Sequence, residues 1–347
     1  MRLFGDRIAI TWPGASPVAR ARGLRPYHGP PRARRLLVIG SSPSAWERLH
    51  EDVKRHNGSA PDVVGFLAQG GEAPFDFAWS HLGPIEELDR VLTASRASEV
   101  ALCLDETQWR QSKSLVDVCT SRHVPVWIPI AVQPNDGHAE PQESTKPTLR
   151  QRLKRSMDLA GAISGLLFLG PTLLAAALAV LVADGRPVFF RQYRAGVNGR
   201  PFRILKFRTM RRDADGLRGT LRGRNEIKGQ AAFKMKHDPR VTRLGQVLRR
   251  TSIDELPQLW NVLLGDMSLV GPRPHPYDDV AGYAPWHLRR LAVKPGITGL
   301  WQVELRNDPD FDRAVQKDLE YIALASPWLD LKVMLKTIPV MLRGTGQ

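Results

Sequence analysis

Cysteine is nearly absent: Cys103 and Cys119 are the only two in 347 residues. Both fall in stretches that read as core, which argues against a disulfide framework and for a reducing compartment. No sustained apolar run opens the chain, because Arg2, Asp6 and Arg7 interrupt it, so no secretory signal is read there. The first strand-to-helix turn, Gly40-Ser41-Ser42-Pro43-Ser44, has one glycine where a dinucleotide-binding fingerprint needs three. That leaves a structural or assembly role as the preferred reading of the segment, with a regulatory nucleotide site as the alternative.

Acidic charge is scarce and unevenly placed. Residues 1–35 hold eight Arg against Asp6 alone, residues 36–149 hold nine bases and sixteen acids, and residues 150–347 hold 33 bases and 18 acids. A basic half implies an anionic partner, whether nucleic acid, acidic lipid or a phosphorylated substrate. An apolar share of 42% excludes wholesale disorder and, at this length, supports two domains with their own cores.

Residues 1–34, rich in Arg, Pro and Gly, read as a basic flexible arm. Residues 35–131 alternate apolar strands (35–40, 62–67, 99–104, 124–130) with helical stretches (45–56, 85–94, 112–121), the pattern of a small parallel sheet in a Rossmann-like α/β domain. Residues 132–149, with Pro134, Pro141 and Pro147 among polar residues, read as a linker. The remainder, 150–347, is expected to be a membrane-associated, compact α+β domain.

Leu159 to Ala183 contains no charged side chain. At about 1.5 Å per residue a straight helix of that length reaches roughly 37 Å, enough to cross a bilayer core. Pro171 at its centre removes a backbone hydrogen bond and breaks it into halves of about 18 Å. Both flanks are basic (Arg150, Arg152, Lys154, Arg155; then Arg186, Arg191, Arg194), which favours keeping both ends on the cytoplasmic side. A re-entrant helix over 156–184 satisfies both facts; a spanning helix and a buried soluble helix are the alternatives. Ser326 to Leu342 reads as an interfacial helix, with core packing as its rival.

The stretch Val188 to Met210 is dense in cations, Lys206 and Arg208 among them, and Asn198-Gly199 suits a hairpin turn within it. Such a face binds phosphates; nucleic-acid binding is the rival. In Thr251 to Leu264 the apolar positions 256, 259, 260, 263 and 264 follow helical spacing, and Pro257 places Asp254 near the N-cap. Carboxylates at a helix start are ordinarily caps. Beside Arg249, Arg250 and Arg273, the pair also suits an anion and a divalent metal. Asp254 could then attack phosphorus and form an acyl phosphate, while Glu255 could hold Mg²⁺. Asp213-Ala214-Asp215 matches an Asp-x-Asp metal site but sits in a Gly- and Arg-rich stretch, 211–229, that reads as a loop.

Taken together, Lys154-Arg155-Ser156-Met157-Asp158, the broken apolar helix, Lys206-Phe207-Arg208-Thr209-Met210, Asp238-Pro239-Arg240-Val241-Thr242, Asp254-Glu255-Leu256-Pro257-Gln258, Asp266 to Pro274 and Lys294-Pro295-Gly296-Ile297-Thr298-Gly299 resemble the bacterial sugar transferase family, the monotopic phosphoglycosyl transferases. The resemblance implies transfer of a hexose-1-phosphate, glucose or galactose, from a UDP-sugar to undecaprenyl phosphate. It implies a phosphosugar on Asp254, release of UMP, Mg²⁺ on Glu255, and work at the cytoplasmic leaflet of the inner membrane. It further implies substrate-binding roles for Lys206, Arg208, Arg273, Lys294 and Asp318. Residues 35–131 resemble the nucleotide-binding-like domain of the family's long members, which carry about four membrane helices ahead of it that have no counterpart here. No nucleic acid is expected as partner, and a homodimer is left open.

Overall fold

The computed structural model describes residues 34–55, 61–69, 79–130, 148–214, 217, 235, 238–305 and 308–342, and divides the chain into two compact units, Met1–Ala131 and Val132–Gln347. The basic arm except Arg34, nearly all of the linker, Asp215 and most of 211–229 lie outside the described residues.

In the first unit β1 (Arg35–Ile39), β2 (Asp62–Leu67), β3 (His81–Gly83), β4 (Glu99–Leu102) and β5 (Val126–Trp127) form one parallel sheet in the order β3-β2-β1-β4-β5. Leu36 to Ile39 are wholly buried, as the near-continuous apolar run of a parallel strand covered on both faces requires. Helices α1 (Pro43–Arg55), α2 (Leu88–Ser95) and α3 (Ser112–Ser121) supply the crossovers. The strand expected over 124–130 contracts to two residues, because Pro125 and Pro129 cannot donate to a ladder. The core centres on Trp46, edge-on to Phe66 at 5.3 Å, with its indole N–H donating to the Gly40 carbonyl at 2.9 Å. Gly40 has φ 98°, and a Cβ there would lie 2.4 Å from the Cys103 carbonyl oxygen. Its turn is therefore shaped by close packing on β4. Both cysteines are buried and unpaired, and burial pushes the Cys119 thiol up to about 12 and that of Cys103 still higher.

The second unit opens with α4 (Leu149–Phe168), which starts inside the stretch read as linker. Thr148 caps it in a capping box: its hydroxyl accepts from the Gln151 N–H, and the Gln151 side chain accepts from the Thr148 N–H. At Leu169 the chain bends by 62° into α5 (Gly170–Ala183), with Pro171 in the first turn. Among the described residues no single helix is long and apolar enough to cross a membrane, though this bent pair is by length and composition.

Next come a hairpin, β6 (Phe189–Ala195) and β7 (Pro201–Phe207), then α6 (Arg243–Arg250), a 3₁₀ turn at Ile253–Glu255, and α7 (Gln258–Leu264). The hairpin turns through Asn198 and Gly199, both at positive φ, as the Asn-Gly pair suggests. Parallel strands β8 (Ser268–Val270) and β9 (Gly296–Thr298) follow, with α8 (Tyr277–Val280) between them, and α9 (Leu300–Glu304), α10 (Phe311–Leu324) and α11 (Pro327–Leu342) close the unit.

Each half of the bent pair buries one strip. Ala162 of α4 packs with Phe202, Ile204, Leu259 and Val262, while Ala176 and Val180 of α5 pack with Phe207 and Leu248. The opposite side is apolar yet uncovered: Leu167, Phe168, Leu174 and Val182 are 73%, 84%, 63% and 85% exposed. Trp328, Leu335 and Ile338 of α11 are exposed likewise. Soluble surfaces rarely present so much apolar area together.

The charged residues at the start of α4 hold the unit together. Lys154 Nζ donates to Asp330 at 2.7 Å and to the Val270 carbonyl. The Arg155 guanidinium donates to the carbonyls of Val262 and Leu263, the open end of α7. Asp158 accepts from the Ser268 hydroxyl and the Leu269 N–H, both at 2.9 Å.

Candidate active site

Three segments converge on the Asp254-Glu255 pair. Asn261 fixes α7 against β7, accepting from the Leu205 N–H at 3.0 Å and donating to the Arg203 carbonyl at 2.8 Å. The strand's alternation then buries Phe202 and Ile204 and turns Lys206, on the same face, toward the start of α7. The sharp turn between α6 and α7 is made by Ser252 at φ 56°, and the two carboxylates follow it in the 3₁₀ turn. Asp254 therefore precedes α7 by a tight turn, and Pro257 takes the N-cap position, a shift from the simple capped helix the spacing suggests. Arg273 comes from the segment after β8, where Gly271 and Gly296 let two backbones touch: a Cβ on Gly296 would lie 2.1 Å from the Gly271 nitrogen.

The two neighbouring carboxylates differ sharply in environment. Glu255 Oε1 accepts from Lys206 Nζ at 2.7 Å and from Arg273 Nη2 at 2.6 Å, and Oε2 has a longer contact with Arg273 Nη1 at 3.4 Å. Burial works against its charge, but the Arg273 and Lys206 cations prevail and hold it well below the usual carboxylate range. Asp254 is 8% exposed, and its side chain takes no hydrogen bond among the described residues. Burial first and the Glu255 charge second push its pKa up to about 6, against the opposing pull of Lys206, Arg249 and Arg273. A pair of titratable groups driven apart in this way marks two distinct chemical roles. Burial also lowers the Lys206 pKa, with Glu255 opposing, whereas Glu255 raises that of Arg273.

Arg249, at the end of α6, donates to the Thr209 hydroxyl at 3.0 Å and adds a third cation to the field around Asp254. The cluster of Lys206, Arg249 and Arg273 against two carboxylates carries one net positive charge, a setting that attracts a polyanion.

Lys206, Arg273, Asp254 and Glu255 are thus brought together; the other candidates lie elsewhere. Arg208 is buried against the end of α5, donating to the carbonyls of Asp184 and Gly185. Lys294 lies at the far end of α7 near Gly265, and its pKa is lowered by burial and by Arg155. Asp318 is buried in an ion pair with Arg290. Arg290 in turn donates to the Tyr283 hydroxyl and to the Arg273 carbonyl at 3.2 Å, so Asp318 supports Arg273 at one remove. Nothing in the sequence pattern points to Arg290, which is 17 residues from Arg273 and meets it only through the fold. Asp213 is exposed and paired with Arg211, and no group of three or more His, Cys, Asp or Glu gathers as a metal cage among the described residues.

The family called bacterial sugar transferase matches residues 149–344. A galactosyl transferase, CpsE, of Streptococcus agalactiae is 49% identical over 56% of this chain and 43% of its own length. An undecaprenyl-phosphate glucose phosphotransferase of Komagataeibacter xylinus is 34% identical over 92% of this chain and 62% of its own, so its similarity extends into the first unit. A UDP-glucose:undecaprenyl-phosphate glucose-1-phosphate transferase of Caulobacter vibrioides is 43% identical over 54% of this chain and 69% of its own. The chain spans less than two thirds of the length of the first two.

Proposed function

The chain belongs to the bacterial sugar transferase family, and from that premise we propose that it transfers hexose-1-phosphate from a UDP-sugar to undecaprenyl phosphate, with Asp254 as nucleophile. The observation that carries this reading is the contrast within the dyad: Glu255 is gripped by two cations, whereas Asp254 is buried, without a hydrogen bond among the described residues, and has a pKa raised to about 6. An ionised Asp254 oxygen attacks the phosphorus that bears the sugar, and the bond from that phosphorus to the UMP oxygen breaks. A phosphate oxygen of the lipid then attacks the same phosphorus, frees the aspartate and leaves a lipid diphosphate sugar. Lys206, Arg249 and Arg273 offset the charge that otherwise repels a carboxylate from a diphosphate.

Glu255 would hold Mg²⁺. Its Oε2 has spare capacity beyond the 3.4 Å contact, and Mg²⁺ commonly takes one or two carboxylates and completes its shell with substrate phosphates and water. Bound there, the ion would screen the diphosphate charge.

The bent pair α4–α5 supports a re-entrant insertion into the cytoplasmic leaflet, since its outer side is apolar and both of its ends are basic. Relatives named for glucose and for galactose transfer favour one of these two sugars. The test is purified full-length protein with UDP-glucose or UDP-galactose, undecaprenyl phosphate and Mg²⁺, with the nucleotide product identified. UMP is the expected product, with a sugar-phosphate adduct on Asp254 when the lipid is withheld. UDP release, or undiminished transfer by Asp254→Asn, overturns the reading.

A further inference from the structure

Arg208 is a deeply buried cation, 6% exposed, that the chemistry above does not use. Its Nη2 donates to the carbonyl oxygens of Asp184 and Gly185 at 2.5 and 2.8 Å. Its Nε and Nη1 are buried and donate to nothing, and no carboxylate pairs with it among the described residues. A guanidinium carries five donors, so most of this one is left without an acceptor, a state that native interiors rarely tolerate for a charged group.

Arg208 lines a cleft of about 370 Å³ together with Ala183, Asp184, Arg212 and Thr242. Among the described residues lining the cleft, the Asp184 carboxylate is engaged by the Thr242 hydroxyl at 3.0 Å, and Asp213 pairs with Arg211. Arg208 and the exposed Arg212 therefore present positive charge to the cleft, and the acceptor they lack is an anion with several oxygens. The position of the cleft narrows the source of that anion. Ala183 is the last residue of α5, and its neighbour Val182 is 85% exposed. Charged donors thus stand directly beside uncovered apolar surface.

We propose that this cleft binds the phosphate of a membrane phospholipid, whose acyl chains lie along α5. The site is separate from the Asp254 centre; it rests on the bilayer placement of α4–α5 and not on the transfer chemistry. A lipid phosphate in the cleft offsets the Arg208 charge, pairs with the exposed Arg212, and fixes the depth at which α5 leaves the bilayer.

The test uses the full chain in neutral detergent, titrated with dihexanoylphosphatidylglycerol below its micelle concentration, with hydrogen exchange read over 183–185 and 208–213. Saturable protection of both segments is expected, with the half-saturating concentration rising about tenfold in Arg208→Gln and in Arg212→Gln. Arg208→Lys keeps the charge and serves if the Gln variant fails to fold; it is expected to bind, but more weakly. Asp254→Asn is expected to bind like the unaltered protein, so loss of transfer and loss of this site are told apart. The proposal is overturned by an absence of saturable protection, or by half-saturation unchanged in both Arg212→Gln and Arg208→Lys. It is equally overturned if inorganic phosphate binds as well as the lipid, which makes the ligand a free anion. The same holds if dioctanoylglycerol protects the same segments, which makes the surface merely apolar.

Discussion

Asp254 and Glu255 are adjacent in the chain, yet among the described residues the fold gives Glu255 two cations in hydrogen-bond contact and Asp254 none. For Asp254 the consequence appears in both activity and stability. Its pKa of about 6 lies above that of an unfolded aspartate, about 3.9. The free-enzyme rate, kcat/KM, is therefore expected to fall about tenfold per pH unit below that value, as the proposed nucleophile becomes protonated. Stability runs the other way. A raised pKa favours the folded state below about pH 4 and costs stability as pH rises through 6, on the order of 3 kcal/mol for a shift of this size. Asp254→Asn is thus expected to abolish transfer while raising Tm at pH 8, with the Tm gain vanishing near pH 4; thermal melts across pH check it. Glu255→Gln has the opposite effect, because it leaves the partly exposed Lys206 and Arg273 without their shared carboxylate. A loss of about 1 kcal/mol is expected by denaturant unfolding.

Among the elements, the break between α4 and α5 is the most consequential. Pro171 has no N–H to offer the preceding turn, and the 62° bend lies there. Pro171→Ala restores that donor and is expected to favour one continuous helix from 149 to 183, roughly 52 Å at about 1.5 Å per residue. Cysteine labelling of intact and opened cells then reports whether the two flanks have moved to opposite sides of the membrane. The break was legible in the sequence because proline acts locally. So were β1, β2, β4 and α3, whose apolar runs or periodicity carry their own signal. β3 was not: it is three half-covered residues that become a strand only by pairing with β2. Within the site, the carboxylate pair could be picked out from residue type and helical spacing. Its grip by Lys206 and Arg273 could not, since these lie 49 and 18 residues from Glu255 and meet it only once β7, α7 and the close β8–β9 contact are in place. For the same reason Arg208 and Lys294 sit in motifs that resemble the family's, and the resemblance also implies Asp318, yet the fold directs the three to a helix end, to the far end of α7 and to Arg290.

On the scale of the whole molecule, chemistry and charge sort with the two units. The first carries an open five-stranded parallel sheet with its own Trp46-centred core, and after residue 35 its sequence, 36–131, is net acidic. The second holds the carboxylate pair, the uncovered apolar helices and the excess of basic residues. Every hydrogen bond to Glu255 comes from within residues 206–273, and Thr148 supplies a self-contained cap at the point where α4 begins. Residues 148–347 expressed alone are therefore expected to fold and to retain hexose-1-phosphate transfer within about threefold of the full chain, a difference well under the tenfold that 1.4 kcal/mol represents. Vesicle flotation probes the same fragment physically. Its net charge favours anionic vesicles, and Lys and Arg near the surface contribute about 1 kcal/mol each. Raising salt should weaken binding without abolishing it, because the apolar sides of α4, α5 and α11 are not screened. Complete release at 1 M salt would mean that charge alone holds the unit at the surface, and the insertion of α4–α5 would then have to be abandoned.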